Sequence, residues 1–199
     1  MVENTRAVLD PAYWDAQYAK QKTGWDIGTI SPPLKAYIDQ LTRNDIRVLV
    51  PGAGKGWEVN YLFGQGFKQT FLLDFSATAI EQFKRHNPTF PESQIIQHNF
   101  FDHQASYDLI IEQTFFSSLP PEKRQDYVQQ MHKILAPGGK LCGLLFNHKF
   151  DSTAPPYGDT EATYRELFAP YFHFLVFETA YNSIKPRAGR ELFFLLKKI

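Results

Sequence analysis

Three glycines at every second position, Gly52, Gly54 and Gly56, follow the short apolar run Ile46 to Val50 and precede Trp57 to Phe63, a segment able to start a helix. Glycine lacks Cβ, so a backbone of this kind can turn tightly and approach a ligand closely. A strand, a glycine-rich turn and a helix N-terminus in succession make a cradle for a nucleotide. The next apolar run, Phe71 to Leu73, ends in Asp74, 20 residues beyond Gly54. At that spacing a carboxylate on the tip of a second strand meets ribose hydroxyls.

The glycine spacing discriminates among nucleotides. The dinucleotide fingerprint is G-x-G-x-x-G, and Trp57 stands where its third glycine would pack a helix over a pyrophosphate. NAD is therefore disfavoured. The phosphate-binding P-loop pattern fails too, because Lys55 is not followed by Ser or Thr after a four-residue spacer. The pattern fits the first motif of class I S-adenosylmethionine (SAM) methyltransferases, whose ligand has no phosphate. Taken alone it leaves open another nucleotide-type ligand or a purely structural glycine turn.

The elements around this cradle can be read from periodicity and punctuation. Asp10 to Lys20 opens with a cap-like Asp and a proline, which predicts a short helix carrying Trp14 and Tyr18 on one face. Gly24 and Gly28 flank Trp25 and Asp26, so a loop presents a ring and a carboxylate; aromatic faces suit a sulfonium cation. Ser31 is expected to cap a helix running to about Leu41, and Ser76 to cap one with Ala77, Ile80 and Phe83 on its apolar side. Gln94 to Gln97, Tyr107 to Ile111 and Leu141 to Phe146 read as further strands, the latter two nearly all apolar and so buried on both faces. Pro120 to Leu135 is a helix with the stripe Tyr127, Val128, Met131, Ile134 and Leu135, stopped by Pro137-Gly138-Gly139. Thr160 to Phe168 reads as a last helix. Phe172 to Thr179 and Glu191 to Lys198 read as an antiparallel pair.

Six blocks in this order, TGWDIG with SPPL, VLVPGAGKG, LLDFSATAI, YDLIIEQTFFSSLPPEKR, APPY and RAGRE, resemble the thiopurine S-methyltransferase family, above all its plant and bacterial thiol and halide methyltransferase branch. The resemblance runs from about residue 11 to the C-terminus. It implies a class I Rossmann-like fold: a seven-stranded, mostly parallel sheet with an antiparallel C-terminal strand and helices on both faces. It also implies one domain over 1–199, with 1–41 as a helical lid. By the same resemblance Gly52 and Gly54 admit the methionine part of SAM, Asp74 binds ribose, Asn99 and Phe100 hold adenine, and Trp14, Tyr18 and Trp25 close the lid. Glu112 and Gln113 lie where the family places substrate and methyl-donor contacts.

Several positions depart from the family pattern. Asn99 replaces an Asp whose carboxylate accepts from the adenine amino group; an amide accepts the same bond without charge assistance, and Asp102 is an alternative. Gln113 replaces the Arg of thiopurine enzymes and the frequent Tyr of the plant branch. Glu112 stands for an Asp, either as a polar anchor or as a structural cap. Tyr157, in a proline-stiffened loop, is either a pocket residue or a loop anchor. Arg187 and Arg190 either steer an anionic substrate or sit in a solvated turn.

Composition bounds the remaining choices. Lys and Arg together equal Asp and Glu, 21 each, so no electrostatic footprint for nucleic acid or anionic membrane is present. A small-molecule substrate is expected, with a monomer or weak homodimer as the working state. Cys142 is the single cysteine, in an apolar run, which excludes an internal disulfide. The start MVENTRAVLD lacks a basic region followed by an apolar run, and no 18-residue apolar segment occurs, so a cytoplasmic enzyme is expected. The six histidines show no paired ligand spacing, and no G-x-S-x-G elbow is present; no metal is expected.

Methyl transfer from a sulfonium is an in-line displacement with an activated leaving group, so alignment and desolvation of the nucleophile suffice. A soft anion such as a thiolate, hydrosulfide, thiocyanate or iodide arrives ready to react. Transfer to oxygen or nitrogen would need a base, for which Glu112, Tyr157 and His148 are candidates. A SAM-binding module without turnover is the reading from another class.

Overall fold

Strand β1 (Val48–Pro51) pairs in parallel with β2 (Thr70–Asp74) on one side and with β4 (Tyr107–Gln113) on the other. The glycine loop therefore leaves the sheet where the strand order reverses, the position at which open α/β sheets bind ligands. The computed structural model describes residues 8–199; the first seven residues of the expected 1–199 domain and 1–41 lid lie outside the described residues. Strands β3 (Ile95–Gln97), β5 (Leu135–Phe146), β6 (Phe172–Thr179) and β7 (Glu191–Lys198) complete the order β3-β2-β1-β4-β5-β7-β6. Only β7 runs against the others, pairing antiparallel with both β5 and β6. The expected architecture is the one observed.

The central strands alternate between two cores. Val48 and Val50 join Leu109, Ile111 and Cys142 on one face, while Leu49, Ile110 and Leu141 join the other. Helices α2 (Pro32–Ile38), α3 (Trp57–Gly64) and α4 (Ala77–His86) cover the first face through Leu34, Ile38, Val59, Leu62, Ile80 and Phe83. The short helix α5 (Phe115–Ser118), α6 (Arg124–Ile134) and α7 (Glu161–Phe168) cover the second through Phe116, Tyr127, Met131, Tyr164 and Phe168. Each of these large apolar side chains contributes roughly 1.5–3 kcal/mol by leaving water. Cys142 is a free, buried thiol of this core. Helix α1 (Pro11–Ala19), capped by Asp10 as expected, lies against α4 rather than the sheet.

Four local expectations are corrected. Ser31 precedes α2 but makes no side-chain cap; Pro32 and Pro33 bring no N–H, and the Ser31 N–H itself donates to Glu58 Oε1 at 3.3 Å. Helix α2 ends at Ile38 because Gln40 and Leu41 turn back to the carbonyls of Tyr37 and Ile38, three residues earlier. The segment after Pro120 opens as a 3₁₀ turn, Pro121–Lys123, and Leu135 is already extended and paired with Tyr107. On α4 the buried alanine is Ala79, and Ala77 faces solvent.

Candidate functional site

At the rim formed by β1 and β2, the glycine loop wraps the Asp74 carboxylate. Gly52 and Gly54 both adopt left-handed backbone, φ 56° and 55°, a region costly for residues with a Cβ. A Cβ on Gly54 would lie 2.5 Å from the Tyr18 hydroxyl. Asp74 Oδ2 accepts the Gly54 N–H and Oδ1 the Ser76 N–H, each at 2.9 Å. The 20-residue spacing is thus a hydrogen bond within the protein. Burial pushes the Asp74 carboxyl upward, against those backbone bonds. Ser76 caps α4 through the Ala79 N–H, and its hydroxyl donates to Asp15 on α1 at 2.5 Å. Asp15 also accepts the Thr78 N–H at 3.0 Å. Burial acts to raise Asp15, but these bonds outweigh it and hold the carboxyl below its ordinary range.

The loop after α1 is fastened to the same rim. Trp25 meets Trp14 and Tyr18 edge to face, with centroids 5.3 and 5.7 Å apart, the arrangement that the ring quadrupoles favour. Asp26 accepts the Gly28 N–H and the Trp57 indole N–H, both at 2.8 Å, and pairs with Lys55 at 2.6 Å. Trp57, legible in the sequence only as a missing glycine, is therefore the anchor of this loop. Arg187 donates to the Trp25 carbonyl at 2.8 Å and pairs with Glu191 at 3.3 Å. Its guanidinium ties the loop before β7 to the loop after α1.

Between the ends of β1 and β4 lies an open cleft walled by Trp25, Asp26, Gly52, Gly54, Glu58 and Gln113 among others. Gln113 Oε1 accepts the Thr114 hydroxyl at 3.2 Å, but its buried Nε2 has no partner among the described residues. Thr114 holds φ 61°, an outlier for a β-branched residue and of the kind that clusters at ligand sites. Glu58, in the first turn of α3 and only 5% exposed, has the Ser31 N–H as its long hydrogen bond. Burial pushes its carboxyl up to about 7, Asp26 adding to the rise and Arg187 opposing it. Glu112 is fully buried and caps α5 through the Phe116 N–H at 2.8 Å, with Oε2 unpartnered. Burial pushes it up to about 8, so it is mostly a neutral acid at pH 7.

Several expected site residues stand apart from this cleft. Glu112 and Tyr157 do not line it. The Tyr157 hydroxyl donates to the Thr153 carbonyl at 2.9 Å and its N–H to the Ser117 carbonyl. His148 Nε2 faces Arg190 at 2.6 Å, and burial followed by that cation holds the imidazole below its ordinary range. Asn99 is exposed and caps a turn, accepting from Phe101 N–H and donating to Asp102. The adenine candidates Asn99 and Asp102 thus belong to one small network. Phe100 is buried against Phe115 and Tyr127. Glu58, Asp15, Lys55 and Trp57 are the residues that sequence reasoning missed. For Glu58 a signal existed, a lone acid among the apolar residues directly after the glycine loop.

Among the described residues no group of three His, Cys, Asp or Glu side chains could hold a metal, and no helix is long and apolar enough to cross a membrane. The arrangement suits an organic ligand with an anionic end and a cationic centre. Gln113 offers it a donor lacking a partner, the glycine loop a close backbone approach, and Trp14, Tyr18 and Trp25 a cluster of rings.

The model of the thiopurine S-methyltransferase family matches residues 9–193. A probable thiol methyltransferase 2 of Arabidopsis thaliana is 29% identical, the match covering 89% of this chain and 81% of that protein. Thiocyanate methyltransferase 1 of Brassica oleracea is 27% identical over 94% of this chain and 84% of its own length. Among solved structures, the Burkholderia thailandensis 1,6-didemethyltoxoflavin-N1-methyltransferase, with bound 1,6-didemethyltoxoflavin and S-adenosylhomocysteine, superposes with a TM-score of 0.75. At 19% identity, over 94% of this chain and 86% of that one, it establishes the shared fold.

Proposed function

The chain belongs to the thiopurine S-methyltransferase family, and on that premise we propose that it methylates a small soft nucleophile: a thiol, hydrosulfide, thiocyanate or halide. It is a SAM-dependent methyltransferase. When bound, SAM supplies a methyl group already activated on a sulfonium. The acceptor class is inferred from the thiol and thiocyanate methyltransferases that the chain resembles. The observation that carries it is the cleft at the β1–β4 switch point, lined by rings and a spare amide donor, with no histidine on its walls.

In this reading each residue has a definite task. Gly52 and Gly54 let the methionine end lie against the backbone, and Gln113 Nε2 donates to its carboxylate. Asp74 keeps a lone pair on each oxygen beyond its bonds to Gly54 and Ser76, and these accept from the ribose hydroxyls. Asn99 and the backbone at Phe100 border adenine. Trp14, Tyr18 and Trp25 cover the sulfonium with aromatic surface and keep water out, which strengthens every polar contact inside. Arg187 acts on the acceptor side by holding Trp25 in place. Tyr157 acts through the loop it anchors, and Glu112 by shaping α5. The setting we infer is a cytoplasmic monomer or weak homodimer, in keeping with zero net charge and one buried thiol.

Transfer to oxygen or nitrogen is the second reading, and its base would have to be Glu58, since Glu112, Tyr157 and His148 do not line the cleft. The test is S-adenosylhomocysteine release with hydrosulfide, thiocyanate, iodide, an aromatic thiol, a thiopurine, a phenol and an amine in parallel. Turnover concentrated in the sulfur and halide set is expected. Turnover confined to phenol or amine overturns the proposal, and silence throughout with intact cofactor binding favours a binding module.

A further inference from the structure

We propose that Glu58 accepts the proton of those acceptors that enter the cleft still carrying one, so that a single site serves protonated thiols and anions that need no base. This rests on the soft-nucleophile reading and adds a residue to it.

The choice of Glu58 follows from what faces the cleft. Two carboxylates line it, Asp26 and Glu58. Asp26 is saturated: Lys55, the Trp57 indole and the Gly28 N–H occupy its oxygens. Burial acts to raise it, but these partners outweigh that and hold it ionised below the ordinary carboxylate range. Such a group is a poor proton acceptor. Glu58 accepts only backbone N–H groups, that of Ser31 at 3.3 Å and its own, and among the described residues it has no ion pair. The charged groups around it are Asp26 from the loop after α1, Arg187 from the connection before β7 and Glu112 from β4. Arg187 is already engaged by the Trp25 carbonyl and Glu191. A buried carboxylate held by backbone N–H groups and no cation, on the wall of the cleft, changes protonation readily near neutrality, where general bases are most effective.

The step balances without a further reactant. The acceptor S–H bond breaks, its proton goes to a Glu58 oxygen, and a sulfur electron pair forms the new S–CH₃ bond. The methyl–sulfonium bond breaks in the same displacement, and its electron pair stays on the departing sulfur as the thioether of S-adenosylhomocysteine. Iodide and thiocyanate follow the same path with no proton to place. With these anions Glu58 serves best in its protonated form, which removes a repelling charge from the cleft.

The proton-free acceptors supply the control. In Glu58→Gln, kcat/KM for an alkyl thiol should fall about 10²-fold or more, within the range ascribed to general-base catalysis. With iodide and thiocyanate it should stay within about three-fold, a small margin beside that range. S-adenosylhomocysteine affinity, measured by calorimetry, should be unchanged. Equal losses for thiol and iodide, or an unchanged thiol rate, would overturn the assignment. Should the variant fail to fold, the wild-type pH profile decides. With the alkyl thiol, kcat/KM should rise to about pH 7 and then level, whereas a unit slope continuing past that point means that free thiolate reacts without Glu58. If the wild type turns over neither thiols nor anions, the acceptor class itself is wrong, whatever Glu58 does.

Discussion

The two rims of the crevice handle buried polar groups in opposite ways. Along β1 and β2, every oxygen of Asp74 and the Ser76 hydroxyl has a partner in the protein, and Asp15 adds a second layer. Along β4, Gln113 Nε2 and Glu112 Oε2 are buried with none among the described residues, and nearby Glu58 is held only by backbone N–H groups. An unsatisfied buried group costs about 1–3 kcal/mol, so the second rim carries a cost that the first avoids. The difference teaches where rigidity and where chemistry reside. The β1–β2 rim is bonded within the protein. The β4 rim leaves unspent the Gln113 amide to which we assign the cofactor's carboxylate, while the lone Glu112 oxygen lies beneath α5, away from the cleft.

The largest effect should come from breaking the saturated rim. Asp74→Ala strips the Gly54 and Ser76 N–H groups of their acceptor, and S-adenosylhomocysteine binding by calorimetry should weaken by about 1–3 kcal/mol. Unchanged affinity would remove Asp74 from the cofactor site. On the other rim, Glu112→Gln tests whether the lone oxygen is a liability. Its folded pKa, about 8, lies above the unfolded value of 4.5, so the folded state binds the extra proton. The stability Glu112 contributes is full below pH 4.5 and is lost as pH rises through about 8. The variant should show a shallower fall in Tm between pH 5 and pH 8 than the wild type, and an identical fall would mean that Glu112 does not titrate there. The smallest effect is expected from Asn99→Ala, at the exposed end of the cofactor rim. Loss of a turn cap and of one neutral acceptor should weaken binding by about 0.5–1 kcal/mol; a loss as large as that of Asp74→Ala would make Asn99 a principal anchor.

Much of this molecule was legible in one dimension because its determinants are local. The alternation of Val48, Leu49 and Val50 between the two cores follows from the period of a strand, and the Ser76 cap from the Ala79 N–H three residues away. The strand pair Phe172–Thr179 and Glu191–Lys198 was readable to the residue. Even the link between Gly54 and Asp74 is short-range in this sense, since one strand–helix–strand unit sets its span.

The sequence by itself determined the strand order, the longer helices, the glycine turn, the acid at the tip of β2 and, through six motifs in register, the family; the short α5 was not read from it. Only the tertiary structure decided what each polar side chain does. Asp26 finds Trp57 across 31 residues and Arg187 finds the Trp25 carbonyl across 162, separations that no periodicity encodes. Glu112 and Glu58 look alike as letters, each an acid beside apolar residues. One points beneath α5 and caps it, while the other lines the cleft. The physical reason is that backbone propensity acts over a few residues. Burial, and with it the protonation and partnering of a charge, is set by whichever elements the fold brings together around it.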